Sequence, residues 1–297
     1  MNKEARNQDE PAKWVLKPVH GPVDFSLLTD LPLSQVLTLS CGLSPNAIAW
    51  GGVYVNCERV HNDVPVKPRD LIRVHLKPRE FLSGEGQSTR IIAEHDDFIV
   101  VDKPAGIPVH ATCDNARDNV HKHLETQLGV ALAVCHRLDI GTEGLMVCAK
   151  VKSFRKWFGS ELEKKNVVKR YRARVENYVA PGRYEHFQPR KNFGPYPMFA
   201  EASSDSRSCV MEVESCLSVG EQFEVSLRPQ TGRHHQLRAQ LAFLNAPIVG
   251  DSLYGSRTLL PVPGDGERIA LQCYGLGFKD EKGRTYHFEL AAPQSGW

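Results

Sequence analysis

Tyr171, Ala173 and Val175 alternate with Arg170, Arg172, Arg174 and Glu176, and this period of two fixes a strand with one apolar and one basic face. Phe223, Val225 and Leu227 repeat the pattern. The apolar runs 91–93 and 98–101, separated by four polar residues, predict a hairpin whose second strand ends at Lys103-Pro104-Ala105-Gly106. Helical spacings are interspersed among the strands. Val120, Leu124 and Leu128 precede Gly129, with Asp118 as the expected cap, and Phe154, Trp157, Phe158 and Leu162 share a face after an expected cap at Ser153. Leu237, Leu241 and Leu244 mark a last helix closing near Asn245 and Pro247. Strands dominate, without regular strand–helix alternation. This predicts an α+β domain on a mixed, largely antiparallel sheet with flanking helices.

At 297 residues the chain exceeds one average domain, and 41% hydrophobic residues suffice for a sizeable core. Residues 1–23 read as a polar arm, 24–77 as a small module, 78–89 as a linker around Ser83-Gly84-Glu85-Gly86, and 90–297 as the large domain. In the small module a helix over 34–41 ends at Gly42, and Ser44-Pro45 opens a second that Gly51 stops. Two short strands follow, at 53–57 and 71–74. The stretches Gly51-Gly52-Val53-Tyr54-Val55-Asn56 and Val66-Lys67-Pro68-Arg69-Asp70-Leu71-Ile72 resemble the alpha-L RNA-binding motif. Basic and acidic residues are equal here, five of each, and residues 45–50 hold no Arg or Lys, so the motif is degenerate in its phosphate-binding cations.

Composition narrows the function. The net charge of +2 leaves no diffuse field for nucleic acid, so a basic footprint has to be local. Residues 152–174 supply one, with nine Lys or Arg against two Glu. The eight cysteines form no Cys-x-x-Cys pair, which points to reduced thiols, and the start of the chain fits neither a secretory signal nor a transit peptide. With no run of apolar residues long enough to span a bilayer, a cytoplasmic location is expected. His234-His235 raises a metal-dependent hydrolase, but adjacent histidines on a helix are expected to point apart and no His-x-x-x-His spacing exists, so no metal is expected. No phosphate-binding glycine loop occurs.

Three separated blocks carry the chemistry. His136-Arg137-Leu138-Asp139-Ile140-Gly141-Thr142-Glu143-Gly144-Leu145 sets a carboxylate in a loop between apolar segments, where by itself it reads as a turn former. Lys169-Arg170-Tyr171-Arg172-Ala173 is the second block, and Thr231-Gly232-Arg233-His234-His235-Gln236-Leu237-Arg238 the third. In order and spacing these resemble the signature elements of the RluA-type pseudouridine synthase family, as do Pro247-Ile248-Val249-Gly250-Asp251 and Arg268-Ile269-Ala270-Leu271. The resemblance covers roughly residues 90–290 and implies that family's sheet with a central cleft. It departs at Glu143, where the family commonly has Ser; a solvated loop position is expected for this second carboxylate.

The resemblance implies isomerisation of a uridine in ribosomal or transfer RNA, with Asp139 as the essential carboxylate. Asp139 would act by attacking the base or the anomeric carbon, or by taking a proton from the ribose; the residues do not choose between these. An ionised carboxylate in a dry pocket needs a cation, which the resemblance assigns to Arg238 through two parallel hydrogen bonds. Tyr171 would be the flat surface against which the flipped uracil stacks, and Arg137 would help displace the flipped nucleotide. Lys169, Arg170 and Arg172 lead into the Tyr171 strand and are the expected RNA-backbone contacts. The isomerisation involves neither redox change nor group transfer, so no cofactor is expected, and a monomer is the family default. The rival from another class is a catalytically silent RNA-binding or ribosome-assembly protein that keeps the fold.

Overall fold

The computed structural model describes residues 23–26, 30–42, 46–81, 89–191, 194–262, 264–292 and 297. Most of the expected arm, the cap at Ser44 and most of the linker lie outside them. The described residues divide into two compact units, one within Met1–Glu80 joined by Ala111–Arg117, the other Phe81–His110 and Asp118–Trp297. A division drawn along the chain does not anticipate the return of Ala111–Arg117 to the first unit.

In that unit β1 (Val23–Ser26), β2 (Leu31–Pro32), α1 (Leu33–Cys41), α2 (Asn46–Trp50), β3 (Val53–Val55), β4 (Glu58–Arg59), β5 (Pro65–Val66) and β6 (Leu71–Val74) follow in order. Gly42 closes α1 in the left-handed conformation, at φ 63°. The sheet order is β1-β6-β3-β4, and Leu33, Val36, Leu37, Ile48, Val53, Val66, Ile72 and Val74 fill a core of their own. The returning loop is held by Arg79, which sends its backbone N–H, Nε and Nη2 to the Asp114 carboxylate, each at 2.9 Å.

The larger unit runs β7 (Arg90–Glu94), β8 (Phe98–Lys103), α3 (Val120–Leu128), β9 (Ala133–Val134), β10 (Glu143–Ala149), α4 (Lys152–Glu163), β11 (Val168–Val175), β12 (Gly182–Pro189), β13 (Ser206–Val219), β14 (Gln222–Pro229), α5 (Gln236–Phe243), β15 (Leu271–Lys279) and β16 (Thr285–Glu289). Its ten strands form one sheet in the order β12-β13-β14-β11-β15-β10-β8-β7, with β16 on β15 and β9 on β10. Among the described residues only the β10–β15 pairing of this sheet is parallel, so the mixed, largely antiparallel α+β reading holds. That junction demands a glycine: Gly144 has φ 115°, and a Cβ there would lie 2.3 Å from the Cys273 carbonyl oxygen.

Two caps differ from expectation. Asn119, not Asp118, caps α3 by accepting from the Lys122 N–H at 2.9 Å, and α4 begins at Lys152 without a side-chain cap, with Ser153 already inside. The apolar face of α4 is as its spacing predicts. Phe154 stacks on Phe98 of β8 at 4.6 Å, and Phe158 meets Phe278 of β15 edge to face.

Candidate active site

Asp139 sits in the loop between β9 and β10, and four ties immobilise that loop. Its own carbonyl accepts from Thr142 N at 3.2 Å, Ile140 O from Gly106 N at 2.8 Å, and Gly141 O from Ile269 N at 3.1 Å. The fourth is Lys103, at the end of β8 and fully buried, whose Nζ donates to Pro104 O (2.8 Å), Ile140 O (3.1 Å) and Thr142 O (2.8 Å). Burial brings this lysine down to about 7, against the pull of Asp139, Glu143 and Glu267. Only the ammonium has a hydrogen for each of the three carbonyls, so protonated Lys103 braces the loop. The Asp139 side chain keeps 23% of its surface open.

Facing it is Arg238 of α5, 1% exposed. Its Nε and Nη2 fork onto both oxygens of buried Asp251, at 2.7 and 2.9 Å. Nη1 is left over. It donates to Glu267 Oε1 at 3.0 Å and to His235 Nε2 at 3.3 Å, and lies 3.7 Å from Asp139 Oδ2. The expected pairing of Arg238 with Asp139 is therefore a single ion pair, because the fork is spent on Asp251. Burial alone would weaken the guanidinium's hold on its proton, but Asp251, Glu267 and Asp139 together push its pKa upward.

The Thr231–Arg238 block owes its shape to glutamine. Gln236 Oε1 accepts from Thr231 Oγ1 (2.8 Å) and Arg233 N (3.1 Å), while its Nε2 donates to Val210 O (3.1 Å) and Gln240 Oε1 (3.0 Å). His235 precedes α5 in the left-handed region, at φ 52°. Burial lowers its pKa to about 4, so it is neutral near pH 7; with Nε2 accepting from Arg238, its Nδ1–H donates to the Tyr254 hydroxyl at 3.2 Å.

The two histidines do not diverge. Because His235 lies outside the helix, its ring stacks on that of His234 at 4.1 Å and 18°, and donor atoms of Asp139, His234 and His235 lie within 4.8 Å of one another. The donor types could hold a cation, but the Asp139 carboxylate and His235 Nε2 already face a permanent guanidinium charge.

Tyr171 is buried on β11, and burial, then Cys273 and Asp139, raise its hydroxyl pKa well above the ordinary value. The strand period splits the expected RNA contacts. Lys169 shares the Tyr171 face; its Nζ approaches Gly232, and burial lowers its pKa. Arg170 and Arg172 take the opposite face. Arg172 donates to Leu290 O at 2.9 Å and lies over the Tyr274 ring at 4.2 Å, which makes it a packing residue, whereas Arg170 and Arg137 are exposed. Glu143 also departs from expectation. It opens β10 opposite Gln272, and burial, opposed by Arg268, raises its carboxyl pKa.

Residues 97–243 match the family model described as RNA pseudouridylate synthase. Over 256 residues the chain is 30% identical to ribosomal large subunit pseudouridine synthase D of Neisseria meningitidis, covering 78% of this chain and 68% of that protein. The chain belongs to the RNA pseudouridylate synthase family. It is also 30% identical over 233 residues to the mitochondrial tRNA pseudouridine(32) synthase of Saccharomyces cerevisiae, covering 77% of this chain. The chain spans about half the length of that yeast synthase and of two chloroplastic relatives, at 50%, 46% and 44%. Among solved structures, human RNA pseudouridylate synthase domain containing 1 shares the fold, with TM-score 0.57 and 23% identity over 71% of this chain and 86% of that one.

Within this synthase-family site, Lys103, Asp251, Glu267, His235 and Tyr254 went unassigned from sequence. Asp251 stood inside a quoted motif, and Lys103 in a Lys-Pro pair read as a strand end. For Glu267 no local signal exists, because its partners lie 29 and 126 residues away.

Proposed function

We propose that this chain converts a uridine within ribosomal or transfer RNA to pseudouridine, with Asp139 as the essential carboxylate. The reaction breaks the bond from ribose C1′ to uracil N1, turns the base, joins C1′ to C5, and exchanges the C5 proton for one on N1. It is balanced without oxidant or co-substrate. The observation that carries the reading is the partly open Asp139 carboxylate on a braced loop, 3.7 Å from Nη1 of a buried guanidinium. The guanidinium supplies the opposite charge beside a carboxylate that would act as nucleophile or base. Tyr171 supplies the flat wall for the flipped base, with Lys169 on the same face, and exposed Arg137 beside Asp139 is placed to meet the displaced strand. Relatives named for ribosomal and for transfer RNA support the substrate class at that level.

The test is mapping of pseudouridine in total RNA, by carbodiimide labelling, from cells carrying the intact gene, a deletion, or Asp139→Ala. Loss of one defined site in both mutants is expected. A site lost in the deletion but kept with Asp139→Ala overturns the role of Asp139, and no change in either overturns the activity.

A further inference from the structure

Beside Asp139 lies a ring cluster that the reaction, as described, does not use. His234 is exposed although the buried run of the Thr231–Arg238 block begins only two residues later, at Gln236. Its ring is not free to wander. It stacks on His235 at 4.1 Å, and Tyr196 abuts it edge-on, with centroids 5.1 Å apart and planes at 62°. Gln188 Nε2 holds its carbonyl at 2.9 Å. The supports are themselves anchored. Tyr196 donates its backbone N–H to the Tyr254 hydroxyl at 2.9 Å, and that hydroxyl accepts from His235, whose other nitrogen is on Arg238.

Exposed side chains ordinarily gain rotamer entropy by staying loose, so a flat ring held on several sides and left open is suited to receiving another flat ring. Its position defines which one. A ring nitrogen of His234 and a carboxylate oxygen of Asp139 lie within 4.8 Å. Neighbouring nucleotides are about 3.4 Å apart along a stacked strand, so the nucleotide next to the target uridine is within reach of that ring. Arg233, the preceding residue in the chain, is exposed.

We propose that His234 and Tyr196 form a stacking shelf for the base of a nucleotide adjacent to the target uridine, a nucleobase subsite distinct from the Tyr171 wall. The inference rests on the RNA-modification reading above. Stacking on an imidazole and a phenol tolerates any base but rewards large ones, so the shelf favours a purine neighbour over a pyrimidine.

The experiment measures binding of fluorescein-labelled nine-nucleotide single-stranded RNAs to the full chain. The probes carry a central uridine flanked by adenines, with either flanking adenine replaced by an abasic ribose. Wild type, His234→Ala, His234→Phe and Tyr196→Ala are compared. For wild type, one of the two abasic probes binds about tenfold more weakly than the intact probe. His234→Ala shows that same loss with the intact probe and no further loss with the abasic one, because ring and base act as a pair. His234→Phe, which keeps a ring, stays within about threefold of wild type. Losses from His234→Ala that are equal on intact and abasic probes overturn the shelf, as does a His234 effect that disappears with a chelator, which would mark a bound metal. Wild type that binds none of these RNAs and leaves total RNA unmodified overturns the parent reading, and the shelf with it.

Discussion

Among the described residues each unit holds an arginine fork on a buried aspartate, and the two forks end differently. In the N-terminal unit Arg79 spends its backbone N–H, Nε and Nη2 on Asp114, and burial of that carboxylate is outweighed by these bonds, which hold it below the usual carboxylate range. The pair is closed. In the larger unit Arg238 forks onto Asp251 through the same two nitrogens, and around its Nη1 Glu267, His235 and Asp139 gather. A closed fork fixes a loop, whereas an open one leaves a positioned charge for chemistry. Burial alone does not mark a functional ion pair; surplus donors aimed at a partly open carboxylate do.

The largest effect expected from breaking this contrast is that of Arg238→Met. It strands buried Asp251, which should cost about 3–5 kcal/mol in urea unfolding as well as abolish pseudouridine formation. Arg238→Lys keeps the charge but cannot fork, and should recover only part of the stability and little activity. A variant that stays fully active would show that the leftover Nη1 has no part in the reaction.

Next in size is Lys103→Met. Loosening the Asp139 loop by about an ångström should lower kcat about 100-fold. The wild-type profile carries the complementary signature: below about pH 7 the ammonium serves all of its carbonyls, and as pH rises through about 7 one of them loses its hydrogen, so activity declines on the alkaline side. Unfolding is not the cause of that decline. The folded pKa lies below the ordinary lysine value of 10.5, so between the two the unfolded chain binds more protons and this group's contribution to stability grows with pH. An alkaline limb that persists in Lys103→Met belongs to another residue.

The closed fork should give less. Arg79 is partly solvated, so Arg79→Met is expected to cost about 1 kcal/mol at neutral pH. Asp114 has a depressed folded pKa, so its contribution is present above the ordinary aspartate value of 3.8 and is lost as pH falls further. The mutant should therefore differ from wild type at pH 7 more than at pH 3 in hydrogen exchange at the His75 amide, which donates to Gly52 O at 2.9 Å within that unit. An equal difference at both values would mean that the fork does not carry the effect.

The same contrast separates what was legible in the sequence from what was not. Period two put Tyr171 on the buried face of its strand, and it also put Lys169 there; reading the basic run as one surface obscured this, since charge suggests exposure more strongly than alternation suggests a face. Phe154 and Phe158 were legible from helical spacing, but the α3 cap shifted by one residue because Asp118 and Asn119 are both acceptable caps and only the fold selects one, and the N-cap position of α4 is Val151, two residues before Ser153. Glu143 looked like a loop residue because the apolar run starts at Leu145; pairing with Gln272 extends the strand back over it. Meeting of Asp139 with Arg238 followed from family resemblance and not from spacing. Asp251, Glu267 and Lys103 join through contacts 13, 29 and 37 residues apart, for which local patterns hold no information.

The smallest effect sharpens the comparison most, because it tests the open fork without removing it. Glu267 Oε1 accepts from Arg238 Nη1 at 3.0 Å and from Gly141 N at 3.4 Å, so one carboxylate ties the guanidinium to the Asp139 loop. Glutamine keeps an acceptor oxygen for both donors and removes only the charge, so Glu267→Gln should change stability by less than about 0.5 kcal/mol. Glu267 is also one of the charges that help Lys103 retain its proton, behind Asp139 and Glu143 in strength. Removing it should move the alkaline limb of the activity profile to lower pH by a few tenths of a unit, roughly, and Glu143→Gln should move it further in the same direction. A limb that moves in neither variant would separate Lys103 from these carboxylates, and one that moves upward would reverse the sign on which the electrostatic account of the loop depends.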